Sequence, residues 1–436
     1  MQANPGARDA PGLRPITARG RAVVAVACAA LTMHIVGTSG FTGLFEGLDF
    51  IRTLCIVGTL ICSLAGIGFA VADGHLGTAT ISVALLASIP LEILRFSIQT
   101  GVPYAPWSGG AFFPLGLFAL FYVVIRQGVL RKTLTFLFGL VIAYALLYAV
   151  LSLAMRTGLL HLDSKLIISA DDTSGRTARI PLLHGYIAMG FFAAMASLIQ
   201  NRSRYQSIML MALFTGCLYL SQSRTIIAVM AATALAVLFV QSMKTVSRSY
   251  FFLFCAGLIA TLAVCFNSHL NPLDEFGTDI SSWARWSDIR IVHSLVSDIW
   301  LLGSGISSGE QAFQPLTGVK YFFPGDIGLA GVLTEFGILG VAFYLFIAFA
   351  ACHACSKAKL KHHYPQLVGI LLSGPVLVIY SLLAPVFIAG SGMVSAVIFM
   401  AIWWAYVSKG LAKSPRARPK KGVIIGPGGV VPASRW

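Results

Sequence analysis

Apolar runs of about 20 residues, the length that crosses a bilayer as a helix, follow one another along most of this chain. Together they predict twelve helices, near 22–40, 51–72, 76–94, 110–126, 133–155, 184–200, 207–222, 224–241, 249–267, 326–352, 366–386 and 388–408. The runs are continuous rather than alternating, which disfavours a β-barrel. The pattern is interrupted at length once. From about Ser268 to Gly325 the apolar runs stop, and a loop this long in a helical chain is usually functional. It holds Arg285, Arg290, Lys320, the tryptophans Trp283, Trp286 and Trp300, and the glycine turn Gly303-Ser-Gly305. It ends at Asp326, which opens the next apolar run.

Composition agrees with this pattern. Only 11% of the 436 residues are charged and 57% are hydrophobic, against roughly 25% charged in a soluble domain. The fold class expected is an all-α polytopic membrane protein. Residues 1–21 read as a tail, 22–408 as one transmembrane domain with two long loops near 156–183 and 268–325, and 409–436 as a disordered, basic, Pro/Gly-rich tail. The first 21 residues are polar and basic and lead into a full-length apolar run without a clear cleavage site. The first span is therefore expected to stay as a helix.

Charge sets the expected orientation. With the N-terminus in the cytoplasm, 21 of the 31 basic residues and two of the 16 acidic ones fall inside, as the positive-inside rule requires. The net charge of +15 is then a fringe facing anionic lipid headgroups and calls for no nucleic acid. Both termini are expected inside and both long loops outside. The eight cysteines lie in or at the ends of apolar runs and read as small hydrophobes. Cys352, His353, Cys355, His362 and His363 cluster, but their spacing is irregular for zinc and three lysines sit among them. No metal or other cofactor is expected.

Ten basic residues stay on the outer side against the rule. Arg224 is the sharpest, in Leu220-Ser-Gln-Ser-Arg-Thr between two apolar runs. An arginine there is costly, and its planar fork suits phosphate; the alternative is a residue that snorkels to the interface. Arg176 and Arg179 follow Asp171-Asp172, which are able to neutralise them. Arg285 lies between Trp283 and Trp286, rings that stack on sugars or hold a guanidinium, or that form an interfacial belt. Asp326 reads either as a helix N-cap or as a general base. Glu335, nine residues further, is expected to face the bundle interior.

Four stretches resemble the O-antigen ligase and O-antigen polymerase superfamily. They are Ser221-Gln-Ser-Arg224-Thr, Trp283-Ala-Arg285-Trp286, Asp298-Ile-Trp-Leu-Leu-Gly303-Ser-Gly305, and Asp326-Ile through Glu335-Phe-Gly337-Ile-Leu-Gly340. The resemblance implies a membrane glycosyltransferase of the GT-C type, acting on the periplasmic face of a bacterial inner membrane. Its donor would be a polyprenyl-diphosphate-linked oligosaccharide, its acceptor a glycan hydroxyl, and its partners would include chain-length regulators and export proteins. Arg224 and Arg285 would clamp the diphosphate with Arg290, Arg176, Arg179 and Trp286 beside them, and Asp326 would be the base. Where the ligases carry a histidine-asparagine pair, this chain has Asp326-Ile327, which favours a polymerase over a ligase. A lipid-linked glycan flippase or transporter is the competing class. Convergence of Arg224, Arg285 and Asp326 on one cavity would discriminate against it.

Overall fold

The computed structural model describes residues 17–41, 44, 48–160, 179–221, 224–241, 280–307, 312–320, 322–356, 363–381, 384, 386–387 and 390–412. The predicted helix at 249–267, most of both tails and most of the 156–183 loop, with Arg176, lie outside them. The described chain is helical: α1 Ala18–Thr38, α2 Asp49–Ala72, α3 Leu76–Thr100, a 3₁₀ stretch Pro106–Leu117 running into α4 Phe118–Arg126, α5 Leu130–Arg156, α6 His184–Ile199, α7 Arg204–Ser221, α8 Arg224–Gln241, α9 Ile280–Ile299, α10 Gly328–Ser356, α11 Pro365–Tyr380 and α12 Gly392–Ala412. Six described spans are long and apolar enough to cross a membrane: Ala18–Thr38, Phe50–Ala72, Leu76–Thr100, Pro106–Arg126, Leu130–Arg156 and Gly328–Ser356. The chain is built as a polytopic membrane protein.

Two expectations change. The predicted helix at 110–126 begins instead as 3₁₀ turns, because Pro106-Trp-Ser-Gly-Gly and Pro114 interrupt α-helical bonding. The long break also contains α9, a 20-residue helix. A span-length apolar window misses it because its apolar positions form one stripe. Along that stripe Val292 and Ile299 are buried and Ile289 is half-buried. Ile289 and Val292 of that stripe pack into a small separate core with Phe96, Phe313, Phe322 and Ile327.

The shorter apolar helices form the middle of the bundle. Nearly every residue of α6 from Gly185 to Ala196 is buried, and α6 packs closely on α11. Gly369 makes that approach possible, since a Cβ there would stand 2.6 Å from both the Ala193 Cβ and the Met189 carbonyl. Helix ends then gather in two sets. At one, Arg19 pairs with Asp73 at 2.7 Å, and Gln200 donates to the His363 carbonyl at 2.8 Å. At the other, Arg156 donates to the Leu220 carbonyl at 2.9 Å and lies over the Tyr219 ring, holding the end of α7 just ahead of Arg224. The second end carries the site.

Candidate functional site

Glycines build the floor. Gly303 and Gly305 both have positive φ, 74° and 91°, conformations that side chains with a Cβ avoid. The turn they make lies directly on α10, which is broken at Gly337 (φ 63°, ψ −161°). Ile338 would normally donate to Thr334 one turn back; here it donates to the Trp300 carbonyl at 2.8 Å. The Thr334 carbonyl accepts from the Ser304 N–H at 2.6 Å and from the Ser304 Oγ at 2.8 Å. The Glu335 carbonyl accepts from the Gly305 N–H at 2.8 Å and from Arg95 Nη2 at 2.9 Å. An unpaired backbone group at membrane depth costs several kcal/mol, so the turn and the break are complementary halves of one joint. A Cβ on Gly303 would fall 2.5 Å from the backbone of Glu335 and Phe336.

Helix α3 closes the joint. Ile306 donates to the Glu92 carbonyl at 3.3 Å, and the Glu92 carboxylate is ion-paired with Arg95. Charges this far into an apolar helix cost ~3 kcal/mol each unless they are paired. Glu92 is also within electrostatic reach of Glu335. The Glu92–Arg95 pair is a feature that sequence reasoning missed, although charges three residues apart inside an apolar run were a readable signal.

Above the joint opens a cavity of about 430 Å³, lined among others by Ser307, Phe313, Phe322, Phe323, Asp326 and Glu335. Asp326 sits in the 3₁₀ turn Pro324–Asp326 ahead of α10. Among the described residues no backbone N–H is bonded to its side chain, so the capping role read from the sequence finds no support. Its carboxyl is pushed above the ordinary value by the enclosing walls and pulled back by Arg285. The side chain keeps an open surface, so the walls act on it at partial strength. Asp288, one turn after Arg285 on α9, has its carboxyl close to the Phe323 N–H. Burial first, and the charge of Asp326 second, push its carboxyl up to about 6, against the pull of that N–H.

Asp326 also has basic neighbours that the cavity lining lacks among the described residues. Tyr380, the last residue of α11, lies within electrostatic reach of Arg285, Asp326 and Arg179. Its ring stands 5.6 Å from that of His184, which itself feels Arg179. Arg179 is held in place by its neighbours, since Tyr148 donates to the Ile180 carbonyl at 3.1 Å and Leu183 donates to Tyr144 Oη at 2.9 Å. The structure thus brings together Arg179, Arg285 and Asp326 from the sequence reading and adds Asp288, His184 and Tyr380, for which the sequence offered no spacing signal. Arg290 is exposed. Five residues past Arg285, it projects about 140° away around the helix. Trp286 is half-buried and makes no ring contact among the described residues. The start of α8 at Arg224 belongs to this end of the bundle; the side chain of Arg224, like Arg176, lies outside what is described. Among the described residues no three His, Cys, Asp or Glu side chains come together as metal ligands would.

Residues 209–345 match the family model described as O-antigen ligase. That segment, about a third of the chain, is similar to the O-antigen ligase family. That match supports the O-antigen ligase and polymerase superfamily, whose members are glycosyltransferase-like enzymes, and a general role in polysaccharide assembly. No curated protein matches the chain. The O-antigen ligase segment runs from within α7 to just past the break in α10. It contains Arg224, Arg285, Asp288, the glycine turn, Asp326 and Glu335. Glu92, Arg95, Arg179, His184 and Tyr380 come from outside the segment and complete the site around it.

Proposed function

We propose that this protein polymerises lipid-linked oligosaccharide repeat units into a surface polysaccharide at the periplasmic face of the bacterial inner membrane. The observation that carries the reading is the meeting of Arg179 and Arg285 with Asp326 around Tyr380, beside a cavity of about 430 Å³. A polyprenyl-diphosphate donor fits that division of charge. The hydroxyl of an acceptor sugar attacks the anomeric carbon of the donor glycan, and the new C–O bond forms as the bond to the diphosphate oxygen breaks. The hydroxyl proton passes to the Asp326 carboxylate. The electron pair leaves on the diphosphate, whose growing charge Arg285, Arg179 and Arg224 stabilise as fixed donors. The raised affinity of Asp326 for a proton suits a base.

Transfer of finished polymer to lipid A core is the second reading, favoured by the description of the matched family. Deleting the gene and analysing the surface glycan separates the two. A single repeat unit left on its final carrier identifies the polymerase, free polymer left on its lipid identifies the ligase, and an unchanged glycan refutes both. Orientation is tested with a membrane-impermeant thiol reagent. Applied from outside, it should label Val319→Cys and spare Ser414→Cys; the opposite pattern would place the site on the cytoplasmic face.

A further inference from the structure

The cavity and the arginines beside it do not suit the same part of a substrate. Among the described residues the cavity lining carries two carboxylates, Asp326 and Glu335, and no cation. A diphosphate placed there would meet acidic groups where it needs donors. A carboxyl offers acceptor oxygens, and an O–H donor as well when it holds its proton, so its complement is a ligand rich in hydroxyls. The remaining wall is aromatic, with Phe313 and Phe322 buried behind and Phe323 left 40% exposed at the opening. Apolar walls with a few placed acceptors are the usual build of a small-ligand site, and a volume of this size falls in the range of about 300–1,000 Å³ such sites occupy.

We infer that the cavity between Asp326 and Glu335 is the subsite for the terminal sugar of an uncharged acceptor glycan, with Phe323 against the apolar face of the ring and the two carboxylates on its hydroxyls. The assignment rests on the transfer reading above and adds a direction to it. The acceptor comes from the cavity side, the donor diphosphate from the side of Tyr380, and Asp326 stands where the two meet. The frame is held at fixed points, which is what orienting a nucleophile demands. Glu335 is held through its own carbonyl by Gly305 and Arg95, and Phe323 follows Phe322, which is buried in the small core.

The test uses the full-length protein in lipid nanodiscs and two probes. One is the repeat-unit oligosaccharide freed by mild acid from the cell's own lipid-linked glycan; the other is polyprenyl diphosphate without sugar. The wild type should bind both. Phe323→Ala and Glu335→Gln should each weaken the oligosaccharide about tenfold, that is, by 1.4 kcal/mol, and leave polyprenyl diphosphate unchanged. Arg285→Ala should do the reverse. Phe323 is exposed and Gln is nearly isosteric with Glu, so neither change should disturb folding, and an unchanged affinity for polyprenyl diphosphate confirms that. Oligosaccharide binding that ignores both cavity variants, or variants that weaken both probes alike, overturns the assignment. If the oligosaccharide binds as stated but no glycan is transferred from a polyprenyl-diphosphate donor, the transfer reading fails and the sugar subsite stands. If transfer proceeds while the cavity variants leave the acceptor KM unchanged, the subsite fails alone.

Discussion

The cavity and the cluster around Tyr380 share Asp326, and they are built in opposite ways. The cavity is acidic and aromatic, and it comes almost wholly from one continuous stretch, the glycine turn through Glu335, locked to α3. The cluster is basic and comes from distant places: Arg179 and His184 before and at the start of α6, Arg285 on α9, Tyr380 at the end of α11. A single cavity mixing both signs would let the arginines neutralise the carboxylates before any substrate arrived. Keeping them apart leaves each side with unspent charge for a different ligand, and Asp326 and Arg285 act on each other where the two meet.

The sharpest way to break this comparison is at the boundary itself. Asp326→Asn keeps the shape and removes the base, and a lost general base costs ~10²–10⁴-fold in rate. Transfer should stop while polyprenyl diphosphate still binds. Polymer output near wild type would move proton acceptance to another group. On the basic side, Arg285→Ala should lower kcat by about 10²-fold, the cost of losing one fixed donor to developing charge. Arg285→Lys should not restore it, because a point charge does not replace a planar fork; full activity in the lysine variant would reduce Arg285 to a nonspecific cation.

Gly303→Ala addresses the cavity floor alone. The added methyl meets the backbone of Glu335 and Phe336 at 2.5 Å, and a residue with a Cβ at φ 74° is strained. The expected loss is ~1–3 kcal/mol, seen as a lower thermal midpoint of the purified protein, with Gly318→Ala (φ 71°, in open space) as a control for strain without the clash. Equal losses in both would mean that the joint adds nothing beyond backbone conformation.

The smallest effect concerns pH. Folded Asp288 keeps its proton up to about pH 6, whereas the unfolded chain releases it near 4. The native state therefore holds the extra proton in that window, and this group's contribution to stability is complete below about 4 and lost as the pH rises through about 6. Asp288→Asn should flatten that part of the stability–pH curve. It also removes a negative charge beside Asp326, so the acid limb of the pH–rate profile should move to lower pH. An unmoved limb would uncouple the two carboxyls.

Much of the architecture follows from the sequence directly, because the cost of placing polar groups in hydrocarbon leaves apolar runs of fixed length few options. The helix positions from Ala18 to Arg156 agree with the hydropathy reading to within several residues, apart from the start of the fourth, where proline and glycine impose 3₁₀ turns. The Gly303-Ser-Gly305 turn and Gly337 were visible as glycines, and Arg285 and Asp326 as charges out of place. Helix α9 escaped a search for span-length runs because an amphipathic helix shows only in its periodicity. What the tertiary structure alone decided is which distant groups share a field. Tyr380 is an ordinary tyrosine at the end of an apolar helix, and Arg179 sits 106 positions before Arg285 in the chain. Glu92 and Arg95 are 240 or more positions from the Glu335 they flank. Such neighbours are set by helix packing, where α6 lies on α11 and α3 on the glycine joint. Packing is a property of whole surfaces, which no local pattern of residues encodes.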